Sequence, residues 1–442
     1  MKRKADTICA IATPPGRGGV GVVRLSGPNS FPIAQSLSGP LPAPRQAALR
    51  SFRAAAGELI DRGLILTFAG PASFTGEDVV EFQVHGAPVV LELLLAACVA
   101  AGARRAGPGE FSQRAYLNDR MDLAQAEAVA DLIAAGTEKA ARAAGRSLEG
   151  EFSRQVNALT EALIELRVWI EAALDFPDED VDFLADGQVL GRVDNVLARL
   201  QALLARADAG RVLNDGIRIA IIGPPNAGKS SLLNALSRRD AAIVTATPGT
   251  TRDVLRETVS IAGLTVTLAD TAGLRDTRDQ IEAEGVRRAR HEMQAADLVL
   301  WVADSASEPA QPPPGLPASL PVLRIHNKID LSGLPARSEG RQVWLSVVTG
   351  EGLELLEQLV IAEMGLDETD GGEFSARQRH IDQLKLALAC VRRGRDELAA
   401  SGSGELLAEE LRQAAAALGE ITGQMSADEL LGRIFSSFCI GK

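Results

Sequence analysis

The chain has 442 residues, 46% of them apolar and 24% charged, and a net charge of −12. That length supports two or three domains with sizeable cores, and the acidic balance argues against a general nucleic-acid coat protein while leaving room for a local basic patch. Four scattered cysteines, Cys9, Cys98, Cys390 and Cys439, argue against a disulfide scaffold or a zinc knuckle; with no secretory leader, a cytoplasmic protein with free thiols is expected.

Residues 1–118 mix β-type runs, "GVGVVRL", "LILTFAG" and "DVVEFQVHG", with glycine-proline turns and a helical stretch near 89–101, which predicts an α/β domain. The most apolar run, "VVLELLLAACVAAG", contains Glu92 and falls short of the roughly 20 residues a membrane span needs. From about 119 the apolar spacing becomes helical. Leu123, Ala126, Ala130 and Ile133 form one series, then Leu159, Leu163, Leu166, Ile170 and Leu174, then Val189, Val193, Val196, Leu200 and Leu203. Each series lays an apolar stripe on one helix face. They make up the first part of a helical domain, 119–210, interrupted at "FPDEDVDF" around Pro177. Next come "IRIAIIG", "LTVTLAD", "LVLWVAD" and "PVLRIHN", runs that suit buried parallel strands alternating with helices. They predict a domain inserted over 211–370, with the proline-rich "PAQPPPGLPASLP" as a surface connector. Helical spacing returns at Ile381, Leu384, Leu388 and Val391, in a second helical part, 371–442, expected to pack on the first.

"GPPNAGKS", Gly223 to Ser230, fits G-x-x-x-x-G-K-[ST] between a predicted strand and a predicted helix. Glycines let backbone N–H groups wrap phosphates, and the helix that follows presents its positive end to them. The phosphate-side candidates are Asn226, Ala227, Gly228, Lys229, Ser230 and Ser231. Lys229 would add charge at the β/γ-phosphates and Ser230 would ligate Mg²⁺. "DTAG" puts Asp270 at a strand end, where it can hold Mg²⁺ through water; Thr271 and Ala272 lead to Gly273, whose amide can meet the γ-phosphate. In "TATPGTTRD", Thr251 is the candidate switch threonine and a further Mg²⁺ ligand. "NKID" supplies Asn327, Lys328 and Asp330, whose carboxylate can accept from guanine N1–H and the 2-amino group. Adenine would leave that carboxylate unpaired, so GTP is the expected ligand. In "WLSVVTGEG", Ser346 is followed by Val347 and Val348 where Ser-Ala-Lys is usual, which puts the strength of base binding in question. One residue stands out in "DTAGLRD": Leu274 occupies the place where many such enzymes carry a glutamine that positions the attacking water.

The segments "ATPPGRGGVGVVRLSG", "SFTGEDVVEFQVHG", "GEFSQRAYLNDRMDLAQAEAVADLI" and the terminal "FCIGK", with "GTTRD" and "DTAGL", resemble the tRNA modification GTPase family MnmE, also called TrmE, over essentially the whole chain. One departure is Ala87, where a second glycine is usual. The resemblance implies a fold class of α/β + α: an N-terminal α/β folate-binding and dimerisation domain, a helical bundle, and an inserted Ras-like P-loop GTPase domain with a mostly parallel sheet. It also implies an answer to Leu274. G domains of a homodimer meet across their nucleotide faces, and K⁺ stands where other systems use an arginine finger. Its ligands carry over to Asn226 and, through main-chain oxygens, Thr245, Thr247 and Thr250. The glutamate that acts through water carries over to Glu282, which alone reads as a solvated helix-start carboxylate.

Tetrahydrofolate contacts carry over to Arg24, Glu81, Arg120 and Lys442, although lysine is common where this chain has Arg120. The folate would enter as the 5-formyl or 5,10-methylene form. Implied partners are tRNA and the flavoprotein MnmG (GidA), with FAD and NADH, in a heterotetramer that modifies C5 of the wobble uridine. Cys439 has two readings: a nucleophile assisting one-carbon transfer, or a small apolar residue docking the tail. The middle residues Ile440 and Gly441 exclude a prenylation box. Arg287, Arg288 and Arg290 could touch tRNA, but a solvated face accounts for them, and the four histidines lack metal-ligand spacing. A ribosome-assembly GTPase would carry a basic RNA-binding appendage, which is missing here; a nucleotide-gated scaffold stays open.

Overall fold

A computed structural model describes residues 6–175, 188–224, 226–239, 256–261, 263–270, 296–306, 320–364, 374–424, 428–436 and 438–441. By internal contacts the chain divides into two units, residues 1–130 with 419–442, and residues 131–418.

In the first unit the alternating runs become strands: β1 (Ile8–Ile11), β2 (Gly18–Ser26), β3 (Ala48–Arg53), β4 (Leu59–Phe68), β5 (Val79–Gly86) and β6 (Arg104–Arg105). They form one sheet in the order β3-β4-β5-β2-β1-β6, antiparallel except for the β1–β6 pair. Alternation along the strands gives the sheet two different faces. One carries Val23, Leu25, Ile65, Phe82 and Phe52, buried with residues of α1 (Ser30–Ser38) and α2 (Pro88–Ala100). The other carries Arg24, in register with Glu81, and the cross-strand pair Leu49 and Leu64. Beyond the sheet lie α3 (Glu110–Leu117) and the start of α4 (Leu123–Ala134). Leu123 and Ala126 of α4 pack with Leu431, Ile434, Phe435 and Phe438 of the C-terminal segment. The Tyr116 hydroxyl donates to Gly423 O at 2.5 Å. By internal contacts this packing groups residues 419–442 with residues 1–130.

The first apolar stripe falls on α4; in the second unit the other two become α6 (Glu151–Asp175) and α7 (Gln188–Asp215), preceded by α5 (Glu138–Leu148), which none of the three series marked. Every residue of the Val189–Leu203 series is buried. Ile133, the last member of the first series, is instead 50% exposed. The α7 helix runs unbroken past residue 210, so the strand–helix domain begins after Asp215. That domain holds β7 (Ile217–Ile222), α8 (Lys229–Arg239), β8 (Arg256–Ile261), β9 (Leu264–Asp270), β10 (Leu298–Asp304) and β11 (Val322–Asn327). It continues through α9 (Ile329–Ser332), β12 (Arg337–Glu339), β13 (Gln342–Trp344) and α10 (Leu353–Glu363).

The second sheet runs β12-β13-β11-β10-β7-β9-β8. Its five central strands are parallel, as apolar runs buried on both faces require. Both edge strands are antiparallel. β8 and β9 lie on either side of Gly263, and a connection that short can join only antiparallel neighbours. After this domain the chain returns as α11 (Gln378–Ser401), packed along α7, and α12 (Gly404–Thr422). The last described helix is α13 (Asp428–Ser436).

A buried polar knot fastens the returning chain. Ser375 N donates to Ser147 Oγ at 2.9 Å, and Ser147 Oγ donates to Ser375 O at 3.0 Å. Arg377 holds Asp131 Oδ1 through Nε at 3.0 Å and Nη2 at 2.5 Å. Asp131 is buried, so removing its cation leaves charge in a poorly solvated place. Arg377→Met, which keeps most of the side chain's bulk, should destabilise this unit by about 3 kcal/mol. Urea denaturation followed by circular dichroism measures this; an unshifted midpoint would contradict a structural role for the pair.

Candidate functional site

The phosphate loop leaves β7 at Gly223, where φ is +157° and a Cβ would sit 2.0 Å from Val302 O. Only glycine lets the loop turn this close to β10. Asn226 is exposed with φ +61°. Gly228 has φ +97°, and a Cβ there would lie 2.3 Å from Asn327 Nδ2. Lys229 Nζ donates to Gly223 O and Pro224 O, each at 2.9 Å. Lys229 opens α8 with Ser230 and Ser231, both exposed, so the helix N-terminus and the ammonium share one end of the loop.

Asn327 is 3% exposed and works as a strut. Its Nδ2 donates to Ala227 O at 2.9 Å, and its Oδ1 accepts from Val347 N at 3.1 Å. The Val347 amide is therefore engaged by protein. Lys328 has φ +68°, and its Nζ meets Asp304 Oδ2 at 2.8 Å. The Lys328 hydrogen bond holds the Asp304 carboxyl below its ordinary value. Ser346, fully buried, donates through Oγ to Asp330 Oδ1 at 2.6 Å and accepts there from Thr349 N at 3.2 Å. Asp330 is exposed. Its carboxylate is thus oriented from behind and open in front, as recognition of N–H donors on a base requires. Val348 is 84% exposed and makes no such contribution.

The backbone of Asp270 ends β9 in register with Ile221 of β7, one strand position before the phosphate loop. Thr245, Thr247, Thr250, Thr251, Thr271, Ala272, Gly273, Leu274, Glu282, Arg287, Arg288, Arg290 and Lys442 lie outside the described residues. Among the described residues no group of three His, Cys, Asp or Glu side chains is placed to hold a metal.

In the N-terminal domain, Arg24 meets Glu81 Oε1 through Nε at 2.9 Å and Nη2 at 2.8 Å. Its guanidinium carbon lies 5.5 Å from the Phe74 ring centroid and 5.7 Å from that of Phe111. Arg120 packs over the neighbouring Gly76, its Cγ 3.2 Å from where a Cβ would be. The 73–77 loop therefore adjoins both arginines. Beside it is a network that sequence reasoning missed, although its residues fall inside the quoted motifs. Ser26 Oγ donates to Glu77 Oε2 at 2.7 Å, and Arg114 Nη1 reaches the same oxygen at 3.1 Å. Burial pushes the Arg114 pKa down, but Glu77, Glu110 and Asp6 outweigh it and leave it raised. His85 sets Nδ1 3.0 Å from Asp61 Oδ1.

The tail is docked by its backbone: Gly109 N donates to Cys439 O at 3.3 Å, and Ile440 bridges to Pro108. The Cys439 thiol is exposed, which removes the reading of that residue as buried apolar filler. Cys9 and Cys98 are buried, and burial pushes the Cys9 thiol up to about 11, so neither is available as a thiolate.

Residues 123–439 match the family described as MnmE helical domain, and residues 7–120 match GTP-binding protein TrmE N-terminus. The chain is 55% identical over 451 residues to the tRNA modification GTPase MnmE of Stutzerimonas stutzeri (strain A1501), covering 99% of each chain. It is 53% identical over 456 residues to the protein of that name in Pseudomonas syringae pv. tomato, covering 100% of each. Among solved structures, the G domain of the T. maritima FeoB iron transporter aligns with 33% of this chain and 98% of that one, at 27% identity and a TM-score of 0.23, too low to carry an argument.

Gly228→Ala should weaken GDP binding by more than about tenfold, because the added methyl displaces the Asn327 strut and the loop together. Isothermal titration of the full chain reads this; affinity equal to the wild type would mean that the loop yields without cost.

Proposed function

The chain belongs to the MnmE/TrmE family of tRNA modification GTPases, and from that premise we propose a K⁺-dependent GTPase cycle coupled to modification of the wobble uridine of certain tRNAs. The observation that supports the GTP part is the Ser346–Asp330 hydrogen bond at 2.6 Å, which orients a carboxylate that would accept from a guanine edge. Asn327 would brace this site, Lys229 would neutralise the β/γ-phosphates, and Asp330 would accept from N1–H and the 2-amino group.

The residues present fit the expected ions. The side chains of Asn226 and Ser230 take no hydrogen bond from any described residue, leaving two neutral oxygens beside the phosphate loop. Ser230, with Thr251, would hold Mg²⁺; Asn226, with Thr245, Thr247 and Thr250, would hold K⁺. Such cations stabilise negative charge developing on the phosphates. With Leu274 unable to orient water, Glu282 would do so, through a second water.

The N-terminal site also fits its expected group. Both Arg24 contacts fall on Glu81 Oε1, and among the described residues Oε2 receives no donor. An open carboxylate oxygen near the Phe74 and Phe111 rings suits a flat heterocycle with N–H donors, as the pterin of a tetrahydrofolate is. Arg24, Glu81, Arg120 and Lys442 would hold it, and it would supply a one-carbon unit. Leu49 and Leu64, 51% and 38% exposed, share that outer sheet face, which supports a homodimer built through this domain. The flavoprotein MnmG, carrying FAD and using NADH, would complete a heterotetramer that forms the aminomethyl or carboxymethylaminomethyl group at C5 of U34, in the cytoplasm. Among the described residues no helix is long and apolar enough to cross a membrane.

Steady-state GTP hydrolysis in KCl and in NaCl at equal ionic strength tests the cation. At least about a tenfold lower rate in Na⁺ is expected, the scale of one removed transition-state charge contact; equal rates would sink the role given to Asn226. Glu282→Ala should still bind GTP, hydrolyse it about 100-fold more slowly and lose tRNA modification. Full modification by that variant would separate the two activities.

A further inference from the structure

The edge of the second sheet that carries the base-binding loops is short. β12 and β13 have three residues each, and the β11–β13 ladder covers Arg324↔Gln342, Ile325↔Val343 and His326↔Trp344. Asn327 directly follows His326, and Ser346 lies two residues past Trp344. A slip of one residue along a strand moves the chain by about 3.3 Å, which would break the 2.6 Å hydrogen bond from Ser346 to Asp330.

Across this edge lies a stack of three side chains from three strands. His326 and Trp344 have rings 4.5 Å apart and 9° from parallel. On the other side of the indole, the Arg337 guanidinium carbon is 4.1 Å from the ring centroid. Arg337 and Trp344 are also register partners across β12 and β13. Gln342, at the start of β13, sets Oε1 3.1 Å from His326 Nε2. Stacked rings and a cation over an indole are directional. They bind β13 to β11 on one side and to β12 on the other, just where the ladder ends.

We propose that Trp344, clamped between Arg337 and His326, is a positioning residue for guanine: it fixes the register of β13 on β11 and thereby the reach of Ser346 to Asp330. This rests on the reading of Asp330 as the guanine acceptor. The departure at Val347 and Val348 fits it. Val347 N is taken by Asn327, and Val348 stands in solvent, so base discrimination falls on an Asp330 held from the sheet edge.

The test measures dissociation constants of the full chain, in K⁺ and Mg²⁺, for GDP and for IDP, which lacks the exocyclic 2-amino group. Trp344→Leu should weaken GDP about tenfold and IDP by about threefold or less, with an unchanged melting midpoint. Trp344→Phe keeps a ring and should return GDP affinity to within about threefold of the wild type. Arg337→Ala, a truncation at a partly exposed position, should give an intermediate loss. Wild-type GDP affinity in both Trp344→Leu and Arg337→Ala overturns the proposal. So does an equal loss of GDP and IDP with a lowered midpoint, which is general loosening. Asp330→Ala separates the two layers. If the GDP preference survives in that variant, the guanine reading itself fails; if it vanishes there but survives in Trp344→Leu, the stack alone is refuted.

Discussion

A single buried carboxamide, that of Asn327, sets the spacing of the nucleotide site. Its nitrogen donates to Ala227 O in the phosphate loop and its oxygen accepts from Val347 N in the last base loop. Both ends are committed, so the side chain has one orientation. Its absence would strand two backbone groups, each at a cost of about 1–3 kcal/mol where water cannot replace the partner. Gly228 is glycine for the same reason, since the strut occupies the space a Cβ would need. Three segments far apart in sequence thus form one rigid cradle. The order β13-β11-β10-β7 at the centre of the sheet brings their ends side by side.

Both lysines of the site donate within the protein. Lys328 is tied to the carboxylate of Asp304, so its charge is spent on the protein. Lys229 rests on the neutral carbonyls of Gly223 and Pro224. A phosphate outcompetes a carbonyl for an ammonium, because a charge-assisted hydrogen bond is about twice as strong as a neutral one.

The N-terminal sheet divides labour by face. The inner face buries Phe52 and Phe82, with rings edge to face at 5.2 Å, under α1 and α2. The outer face keeps an arginine and a glutamate in register beside two leucines. Period-two alternation alone produces this division. The tail is a different matter: its docking depends on Phe435, Phe438 and the Tyr116 hydroxyl, contacts between segments some three hundred residues apart in the chain.

Local chemistry made much of this molecule legible from its sequence. Helical spacing at Val189–Leu203 and apolar runs such as "LVLWVAD" marked their elements because burial follows periodicity. "GPPNAGKS" and "NKID" marked the site because phosphates and guanine demand those residue types in that order. What tertiary structure decided was whatever depends on distance between remote segments. Asn327 became a strut because β11 lies beside β10 and faces the phosphate loop. Residues 419–442 group by contact with residues 1–130 through packing that includes Phe435 and Phe438. The stack of Arg337, Trp344 and His326 left no motif, because it arises from the register of three short strands, and register is a property of pairing that no single strand contains.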